Sequence, residues 1–230
     1  TLSTSTKTVD ASAFAAIVSA TAGAATATSF SLKGGVIHDV TGDTGADTFT
    51  ITTTDSNTAY NVDGAAGSDT LTMNTGSATF TDTTVDNFEV INYVVGNSKD
   101  TVITTASGKG LNDNDTTTVT VSGGNSVSTF GIGATTVIGA AAGSQATGLT
   151  KFDGSGFNGN LKASFGDSVV DTSLTVTGGS GADIIYATYD AAATEVLKVV
   201  NVEKIHLLAD RGGTSGETYV FNLASVTGAT

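Results

Sequence analysis

The sequence predicts an all-β protein in which many short strands stack into a solenoid. Three observations favour this fold class: short apolar runs alternate with polar residues, sequence blocks recur at fixed spacings, and proline is absent from all 230 residues. Average usage would supply about 11 prolines in a chain of this length. A proline in a strand removes an N–H group that the ladder of a sheet needs, so its absence is consistent with stacked rungs.

The apolar residues recur with the period of two that is typical of strands. Examples of such runs are Thr48–Thr52, Thr70–Met73, Thr118–Val121 and Leu174–Thr177. A disordered acidic chain would not contain 39% hydrophobic residues in this pattern. Gly, Asn, Asp or Ser interrupts the runs after a few residues, and short helices are expected only near Ala11–Ala20 and Ala191–Val199.

Two kinds of sequence block recur in the same order along the chain. The first, G-x-x-G-x-D, ends at an aspartate, and the second, h-x-N-h-E with h apolar, ends at a glutamate; these residues are Asp47, Asp69, Asp183, Glu89 and Glu203. Asp69 precedes Glu89 by 20 residues, and Asp183 precedes Glu203 by the same distance. Repeated units of this kind predict a solenoid, because each unit alone buries too little apolar surface.

The repeats divide the chain into three segments. We expect a first solenoid unit over residues 1–95 with two Gly-Asp turns, and a second unit over residues 151–230 with one such turn. Residues 96–150 are expected to be a connecting stretch of Thr/Gly-rich rungs, including strands over 116–121 and 135–138.

Composition excludes several function classes. The formal net charge is -13, from 9 Lys+Arg and 22 Asp+Glu, so the chain has no basic patch for nucleic acid. No apolar run approaches the ~18 residues that a membrane-spanning helix needs. The absence of cysteine removes disulfides and thiolate sites, and it is common in proteins that bacteria secrete. Because the chain starts at Thr1 without a leader, we expect a mature product or a fragment.

The Gly-Asp blocks carry the strongest chemical signal. Gly178–Tyr186 matches the pattern G-G-x-G-x-D-x-U-x, a calcium-binding β-helix repeat, at every fixed position. Gly42–Thr50 and Gly64–Thr72 depart from it only at the second glycine. Hard oxygen ligands from carboxylates and turn carbonyls favour Ca²⁺ over a transition metal. The alternative is a tight turn in which the aspartate caps its own backbone.

These blocks resemble the RTX repeats of proteins secreted by Gram-negative bacteria. Their interspersion with Thr/Ala/Gly-rich strands is similar to RTX-type bacterial S-layer proteins and large surface adhesins. The resemblance implies a right-handed parallel β-helix or β-roll, calcium-dependent folding, an extracellular location at the cell surface, and a lattice or adhesive function. By motif position it implies calcium carboxylates at Asp47, Asp69 and Asp183, and carbonyl ligands at Gly42, Thr44, Gly64, Ala66, Gly178 and Ser180.

The nonapeptides are not in tandem, so each predicted calcium ion would need oxygen atoms from another rung. Candidates for the first two blocks are Asp39, Asp43 and Asp63, and candidates for the last block are Asp153, Asp167, Asp171 and Asp190. The acidic run Asn112–Asp115 resembles a fragment of an EF-hand loop, but it lacks the glycine and the glutamate of that motif.

Other polar residues favour structural roles. Glu89 and Glu203 occupy equivalent repeat positions, which indicates that they accept hydrogen bonds from turn N–H groups. His206 alternates with Ile205 and Leu207, which predicts a strand residue with an outward side chain. No G-x-S-x-G elbow precedes a helix, so the sequence disfavours a serine hydrolase.

The sequence leaves three classes of function open. The leading prediction is a structural surface-layer protein, not an enzyme, that assembles extracellularly with copies of itself and binds Ca²⁺; cell-surface polysaccharide is a further candidate partner. The first alternative is a calcium-dependent adhesin, or an ice- or ligand-binding module, in which Thr-x-Thr ladders would form the binding face. The second is a β-helical polysaccharide lyase or epimerase, which is the weakest because Arg211 is the only arginine.

Overall fold

The computed structural model describes the chain in twelve stretches: residues 8–11, 19–23, 27–33, 39–53, 61–76, 78–80, 84–103, 116–132, 148–166, 173–189, 197–209 and 226–227. All regular secondary structure in these stretches is β-strand. They contain no helix that is long and apolar enough to cross a membrane.

The strands form three sheets. The ten-stranded sheet has the order β1 (Thr8–Ala11), β3 (Ser29–Lys33), β5 (Thr48–Thr53), β7 (Thr70–Thr75), β10 (Val90–Val95), β12 (Thr118–Gly123), β14 (Lys151–Phe157), β16 (Thr175–Thr177), β18 (Lys198–Val200) and β20 (Val226–Thr227). The four-stranded sheet contains β2 (Ser19–Thr21), β4 (Asp39–Thr41), β6 (Asn61–Asp63) and β9 (Thr84–Asp86). The six-stranded sheet contains β8 (Ala78–Phe80), β11 (Asp100–Ile103), β13 (Thr129–Ile132), β15 (Asn160–Phe165), β17 (Ile184–Tyr189) and β19 (Lys204–Ala209).

The chain coils from sheet to sheet. Every pairing between neighbouring strands is parallel, and successive strands of the ten-stranded sheet are separated by a strand of one of the shorter sheets. Early coils use the four-stranded sheet and later coils use the six-stranded sheet, while β8 and β9 both lie between β7 and β10. The protein is therefore an all-β parallel solenoid, as the sequence predicts. The right-handed sense of the coil stays a prediction.

Alternation of apolar and polar residues places one face of each strand in the interior. In the ten-stranded sheet the pairing register aligns one buried residue from each of eight successive strands into a single file: Phe30, Phe49, Leu71, Ile91, Val119, Phe152, Val176 and Val199. A shift of one residue in any rung would turn its apolar side chains to the outside. The core therefore fixes the register of the stack.

Aromatic rings link neighbouring coils inside this core. The rings of Phe30 and Phe49 stack with centroids 4.6 Å apart, and Phe49 meets Phe88 edge-on at 5.1 Å. In the later coils Phe152 of β14 contacts Phe165 of β15 edge-on at 5.3 Å, and this pair joins two strands of the same coil. Aromatic pairs of this geometry contribute about 0.5–1.5 kcal/mol each beyond the area that they bury.

The two stretches in which helices are expected contain strands at their ends. Ala11 lies in β1, Ala20 in β2, and Lys198 and Val199 in β18, so tertiary pairing overrides the helix propensity of these alanine-rich segments. The middle parts of both stretches lie outside the described residues. The rung predicted over 116–121 is confirmed as β12, and the one predicted over 135–138 lies outside the described residues.

The three Gly-Asp repeats form turns of the same length, but they connect different pairs of sheets. The Gly-Asp turns that end at Asp47 and Asp69 lead from the four-stranded to the ten-stranded sheet, whereas the turn that ends at Asp183 leads from the ten-stranded to the six-stranded sheet. The ten-stranded sheet itself passes through all three predicted segments. The division at residues 95 and 150 stays a prediction about the repeat pattern.

Candidate functional site

Each Gly-Asp block forms the corner between a short strand and a long one. Six residues connect a three-residue strand to a six-residue strand at three corners, which are residues 42–47, 64–69 and 178–183. At the two glutamate blocks the same kind of corner contains only three residues, 87–89 and 201–203. The glutamate side chain is one methylene longer than that of aspartate, which helps it to reach the same place from a shorter turn.

In the early coils the corner carboxylates form a ladder that binds backbone N–H groups. Asp47 Oδ1 accepts a hydrogen bond from Thr28 N–H of the preceding coil at 2.6 Å, and Asp47 Oδ2 accepts one from Asp43 N–H at 2.7 Å. Asp47 N–H donates to Asp69 Oδ1 of the next coil at 2.6 Å. Asp69 N–H in turn donates to Glu89 Oε2. Asp47, Asp69 and Glu89 are called the first carboxylate ladder below.

A second carboxylate ladder, formed by Asp183 and Glu203, repeats this arrangement in the late coils. Asp183 Oδ1 accepts a hydrogen bond from Leu161 N–H at 2.9 Å, and Asp183 Oδ2 accepts one from Gly179 N–H at 2.6 Å. Asp183 N–H donates to Glu203 Oε2 at 2.7 Å. The prediction that Glu89 and Glu203 accept hydrogen bonds from turn N–H groups is confirmed.

Close stacking of the corners accounts for the glycines of the motif. A Cβ atom on Gly42 would lie 2.3 Å from the carbonyl oxygen of Gly64, and one on Gly64 would lie 2.0 Å from that of Asn87. A Cβ atom on Gly178 would meet the carbonyl oxygen of Asn201 at 2.0 Å. These distances are far below van der Waals contact, so only glycine fits. The glycines and the aspartate of the motif therefore both serve the contact between coils.

The corner at Asp69 differs from the other two aspartate corners. At the second position of the turn, Ala65 has a φ of 71°, in a region that alanine rarely occupies, and its N–H donates to Asp63 Oδ1 at 2.8 Å. The equivalent N–H groups of Asp43 and Gly179 donate to the corner carboxylates Asp47 and Asp183. Oδ2 of Asp69 consequently has no hydrogen-bond partner among the described residues, although it is buried.

A second buried carboxylate oxygen without a partner belongs to the neighbouring turn. Asp43 is 9% exposed, and its Oδ1 accepts a hydrogen bond from Gly45 N–H at 2.6 Å. Its Oδ2 has no hydrogen-bond partner in the part of the chain that the structure describes. A buried carboxylate oxygen without a donor is energetically costly unless a proton or a cation compensates it. The Oδ2 atoms of Asp43 and Asp69, in two neighbouring turns, therefore have unused capacity to bind a cation.

Burial raises the pKa of two ladder aspartates. Desolvation, with the negative charges of Glu89, Asp47 and Asp43 adding to it, raises the pKa of Asp69 from 3.8 to about 6, against the hydrogen bond from Asp47 N–H. Burial and the charge of Glu203 also raise the pKa of Asp183, although two backbone N–H groups stabilise its charged form. These carboxylates remain in the interior because they satisfy N–H groups, at a cost in charge burial.

Apart from Asp43, the candidate completing ligands are engaged elsewhere or fall outside the described residues. Asp153 forms an ion pair with Lys151 at 2.8 Å and accepts a hydrogen bond from Ser155 N–H; although burial opposes it, these contacts lower the pKa of Asp153. Asp63 Oδ1 accepts from Ala65 N–H and Asn87 Nδ2, and Asp39 Oδ1 accepts from Asn61 Nδ2. Asp167, Asp171, Asp190 and the run 112–115 lie outside the described residues.

The structure brings the first two predicted calcium turns together on adjacent coils and places the third at another corner. At Asp47 and Asp183 both carboxylate oxygens already accept N–H groups, which is the capping role that the sequence left open as the alternative. Within the described stretches, no group of three or more His, Asp or Glu side chains is arranged to hold a metal ion. Among the three predicted calcium turns, the oxygen atoms of the two neighbouring turns that contain Asp43 and Asp69 are therefore the best suited to bind a cation.

An aromatic pair that the sequence patterns did not predict lies on the outer face of the six-stranded sheet. The rings of Tyr186 and His206 stack with centroids 4.6 Å apart and planes 6° apart. The predicted outward position of His206 is confirmed, because its side chain is partly exposed in β19. The signal was available in the repeat, since these residues are separated by the same 20 positions as Asp183 and Glu203.

The two kinds of ladder aspartate should respond oppositely to the same substitution in calcium-free buffer. In Asp47→Asn an amide NH₂ group faces one of the N–H donors, so we expect a loss of about 2–4 kcal/mol in the free energy of unfolding. Asp69→Asn keeps the acceptor for Asp47 N–H and removes a buried charge, so we expect a gain of about 1–2 kcal/mol near neutral pH. Urea unfolding in EDTA measures both, and equal losses would contradict the distinction.

Asp69 should also make the calcium-free protein less stable as the pH rises. Its pKa is about 6 in the fold against an ordinary 3.8, so the folded state holds the proton more tightly than the unfolded chain. Its stabilising contribution is complete below about pH 4 and is lost as the pH rises through about 6. As the pH rises from about 4 to neutral, the free energy of unfolding of the wild type relative to that of Asp69→Asn should fall by about 2–3 kcal/mol. A difference that does not change with pH would refute the assignment.

No protein-family model matches this sequence, and no curated protein and no solved structure matches it either. The function is therefore inferred from the geometry of the carboxylate ladders and of the sheet faces.

Proposed function

We propose that this chain is a structural segment of a bacterial extracellular surface layer, and that it assembles with copies of itself in a calcium-dependent manner. The observation that carries the proposal is the first carboxylate ladder. It joins adjacent coils through buried charged hydrogen bonds, and it leaves Oδ2 of Asp43 and of Asp69 without a partner. In a chain of net charge -13 this arrangement favours a cation as the missing partner.

Asp43 and Asp69 are the carboxylates that we propose to hold Ca²⁺. They lie on adjacent coils, and the negative charge of Asp43 contributes to the raised pKa of Asp69. The predicted carbonyl ligands Gly42, Thr44, Gly64 and Ala66 belong to the same two turns. Ca²⁺ takes six to eight oxygen ligands and accepts such a mixed set. Calcium at Asp47 and Asp183 stays a prediction from the motif alone.

Calcium would act on both folding and association. An ion that binds only the folded state stabilises it by mass action, by about 2.7 kcal/mol at a free concentration of 100 times its Kd. It would also remove part of the negative charge that makes copies of this acidic chain repel each other. A stiff rod whose self-repulsion depends on calcium is suited to an extracellular lattice, and the proposal assigns the chain no catalytic activity.

Calcium should raise the melting temperature of the wild type and produce sheets or filaments in electron micrographs, and EDTA should reverse both effects. Titration calorimetry should detect Ca²⁺ binding that Asp69→Asn weakens at least tenfold. Asp100→Asn is the matched control, because Asp100 is an exposed aspartate of β11 in the six-stranded sheet and belongs to neither carboxylate ladder. If calorimetry detects no binding and EDTA leaves the melting temperature and the micrographs unchanged, the proposal fails.

A second candidate function, an ice- or ligand-binding module, is favoured by the outer face of the ten-stranded sheet. Over β3, β5, β7, β10 and β12 the register aligns two outward columns, which are Ser29, Thr48, Thr70, Val90 and Thr118, and Ser31, Thr50, Thr72, Asn92 and Thr120. We call these ten positions the hydroxyl face. None of them is charged, and the columns are regular because loops of different length absorb the irregular spacing in the sequence.

The geometry of the hydroxyl face is that of a flat polar lattice. Rungs lie about 4.8 Å apart, and outward positions along one strand lie about 6.6 Å apart. Hydrogen bonds between rungs hold some side chains in place, such as the one from Thr120 Oγ1 to Asn92 Oδ1 at 2.6 Å. Regularly spaced hydroxyl groups without charges can order water, which makes ice the ligand of this second candidate.

If this second candidate is correct, the wild type inhibits ice recrystallisation and Thr50→Lys/Thr72→Lys loses this activity. These residues are adjacent in the register at the centre of the hydroxyl face, so two lysines there disrupt the lattice without affecting the core. Thr188→Lys, on the outer face of the six-stranded sheet, is the control and should keep the activity. A wild type that leaves ice growth unchanged excludes this function.

A further inference from the structure

The outer face of the last three strands of the six-stranded sheet, β15, β17 and β19, is cationic although the protein is strongly acidic. Along β15, β17 and β19 the outward positions include two exposed lysines and a histidine, and none of them is Asp or Glu. We call this surface the cationic face and define it by six residues, Lys162, Ile184, Tyr186, Lys204, His206 and Leu208. Two of the chain's nine Lys and Arg residues are therefore concentrated on three neighbouring strands.

Contacts between side chains give the cationic face a fixed shape. Tyr186 and His206 stack face to face, and Lys162 Nζ lies 5.4 Å from the centroid of the Tyr186 ring. A cation held over an aromatic ring loses less entropy on binding than a free lysine side chain. Leu208 at the end of β19 is 49% exposed and adds an apolar contact point. The surface is thus organised for a partner with negative charge.

The four-stranded sheet presents the opposite charge on its outer face. Asp39 of β4, Asp63 of β6 and Asp86 of β9 occupy outward positions, and Asp63 pairs with Asp86 in the register. Amide side chains hold two of these carboxylates in position, at 2.7 Å from Asn61 to Asp39 and 2.7 Å from Asn87 to Asp63. Neither lysine nor arginine occurs in β4, β6 or β9. These three aspartates define the acidic face.

We propose that the cationic face of one molecule docks on the acidic face of a second copy. This inference rests on the proposed self-assembly and names the surfaces that produce it. The six-stranded and four-stranded sheets share only the coil that contains β8 and β9, and the two faces themselves share no coil, so they lie on different parts of the same rod. Because one patch binds a different patch of the next molecule, the contact is heterologous and can propagate into an open array.

Charge complementarity supports this choice of occupant over an external anion such as an acidic polysaccharide. Each copy carries both halves of the contact, and each half includes charges that neighbouring side chains hold, which are Lys162 on the cationic face and Asp39 and Asp63 on the acidic face. Complementary charges accelerate the encounter of two surfaces and set their register. The Debye length falls from about 10 Å at 0.1 M salt to about 3 Å at 1 M, so assembly should weaken as salt is added.

Charge reversal on each face tests the pairing in the full chain with calcium present. Lys162→Glu/Lys204→Glu makes the cationic face negative, and Asp39→Lys/Asp86→Lys makes the acidic face positive. Each variant alone should lose at least nine-tenths of the assembled fraction in sedimentation velocity. An equimolar mixture of the two variants should restore assembly, and so should the variant that carries all four changes. In both cases a negatively charged face again meets a positively charged face at each contact. Lys151→Glu/Lys198→Glu, exposed lysines on the ten-stranded sheet, is the control that should assemble like the wild type.

The outcomes separate this proposal from the proposed function. If each face variant alone assembles like the wild type, the pairing is wrong while self-assembly stands. If the variants lose assembly but the mixture does not regain it, the cationic face has another partner, and the proposal is overturned. If the wild type does not assemble in any salt or calcium concentration, both proposals fail. Circular dichroism verifies folding, and Asp39→Lys/Asn61→Lys replaces the acidic-face variant if that variant does not fold.

Discussion

Where one coil covers the next, the N–H groups of the corner turns cannot reach water, and a carboxylate from the neighbouring coil accepts their hydrogen bonds. This interaction recurs at Asp47, Asp69 and Asp183, and Glu89 and Glu203 play the same role at the ends of the two ladders. A charged acceptor is roughly twice as strong as a neutral one, which offsets part of the desolvation of the carboxylate. The close approach of the coils at these corners, and the glycines that permit it, bring the donor and the acceptor of this bond together.

The same ladders concentrate negative charge inside an acidic protein. A carboxylate that accepts two N–H groups is well compensated, and Asp47 and Asp183 are of this kind. Asp69 is not, because the backbone of Ala65 turns its N–H toward Asp63 instead. One change of turn conformation thus converts a structural cap into a group with unused binding capacity. The copies at Asp47 and Asp183 therefore act as caps, whereas the copy at Asp69 is the one that enters the proposed calcium site.

Outside the core, the solenoid separates its surface chemistry by sheet. The ten-stranded sheet presents uncharged hydroxyl groups over its early strands, the four-stranded sheet presents carboxylates, and the six-stranded sheet presents lysines beside an aromatic pair. This separation follows from the coil itself, because residues one repeat apart stack on the same face. A charge or an aromatic ring repeated at the period of the coil becomes a column, and columns of unlike character on different faces allow directional contacts.

The sequence by itself determined the fold class and the components of the corners. The period of two and the missing proline reflect local strand geometry, and the 20-residue spacing of Asp69 and Glu89 reflects the repeat; both kinds of pattern are readable from one chain. It also placed Glu89 and Glu203 as acceptors for turn N–H groups. Tertiary structure alone decided which N–H group each carboxylate meets, which sheet each corner enters and which residues share an outer face. These properties depend on the lengths of the loops between rungs and on contacts between coils, and such contacts join residues about 20 or more positions apart that no local pattern pairs.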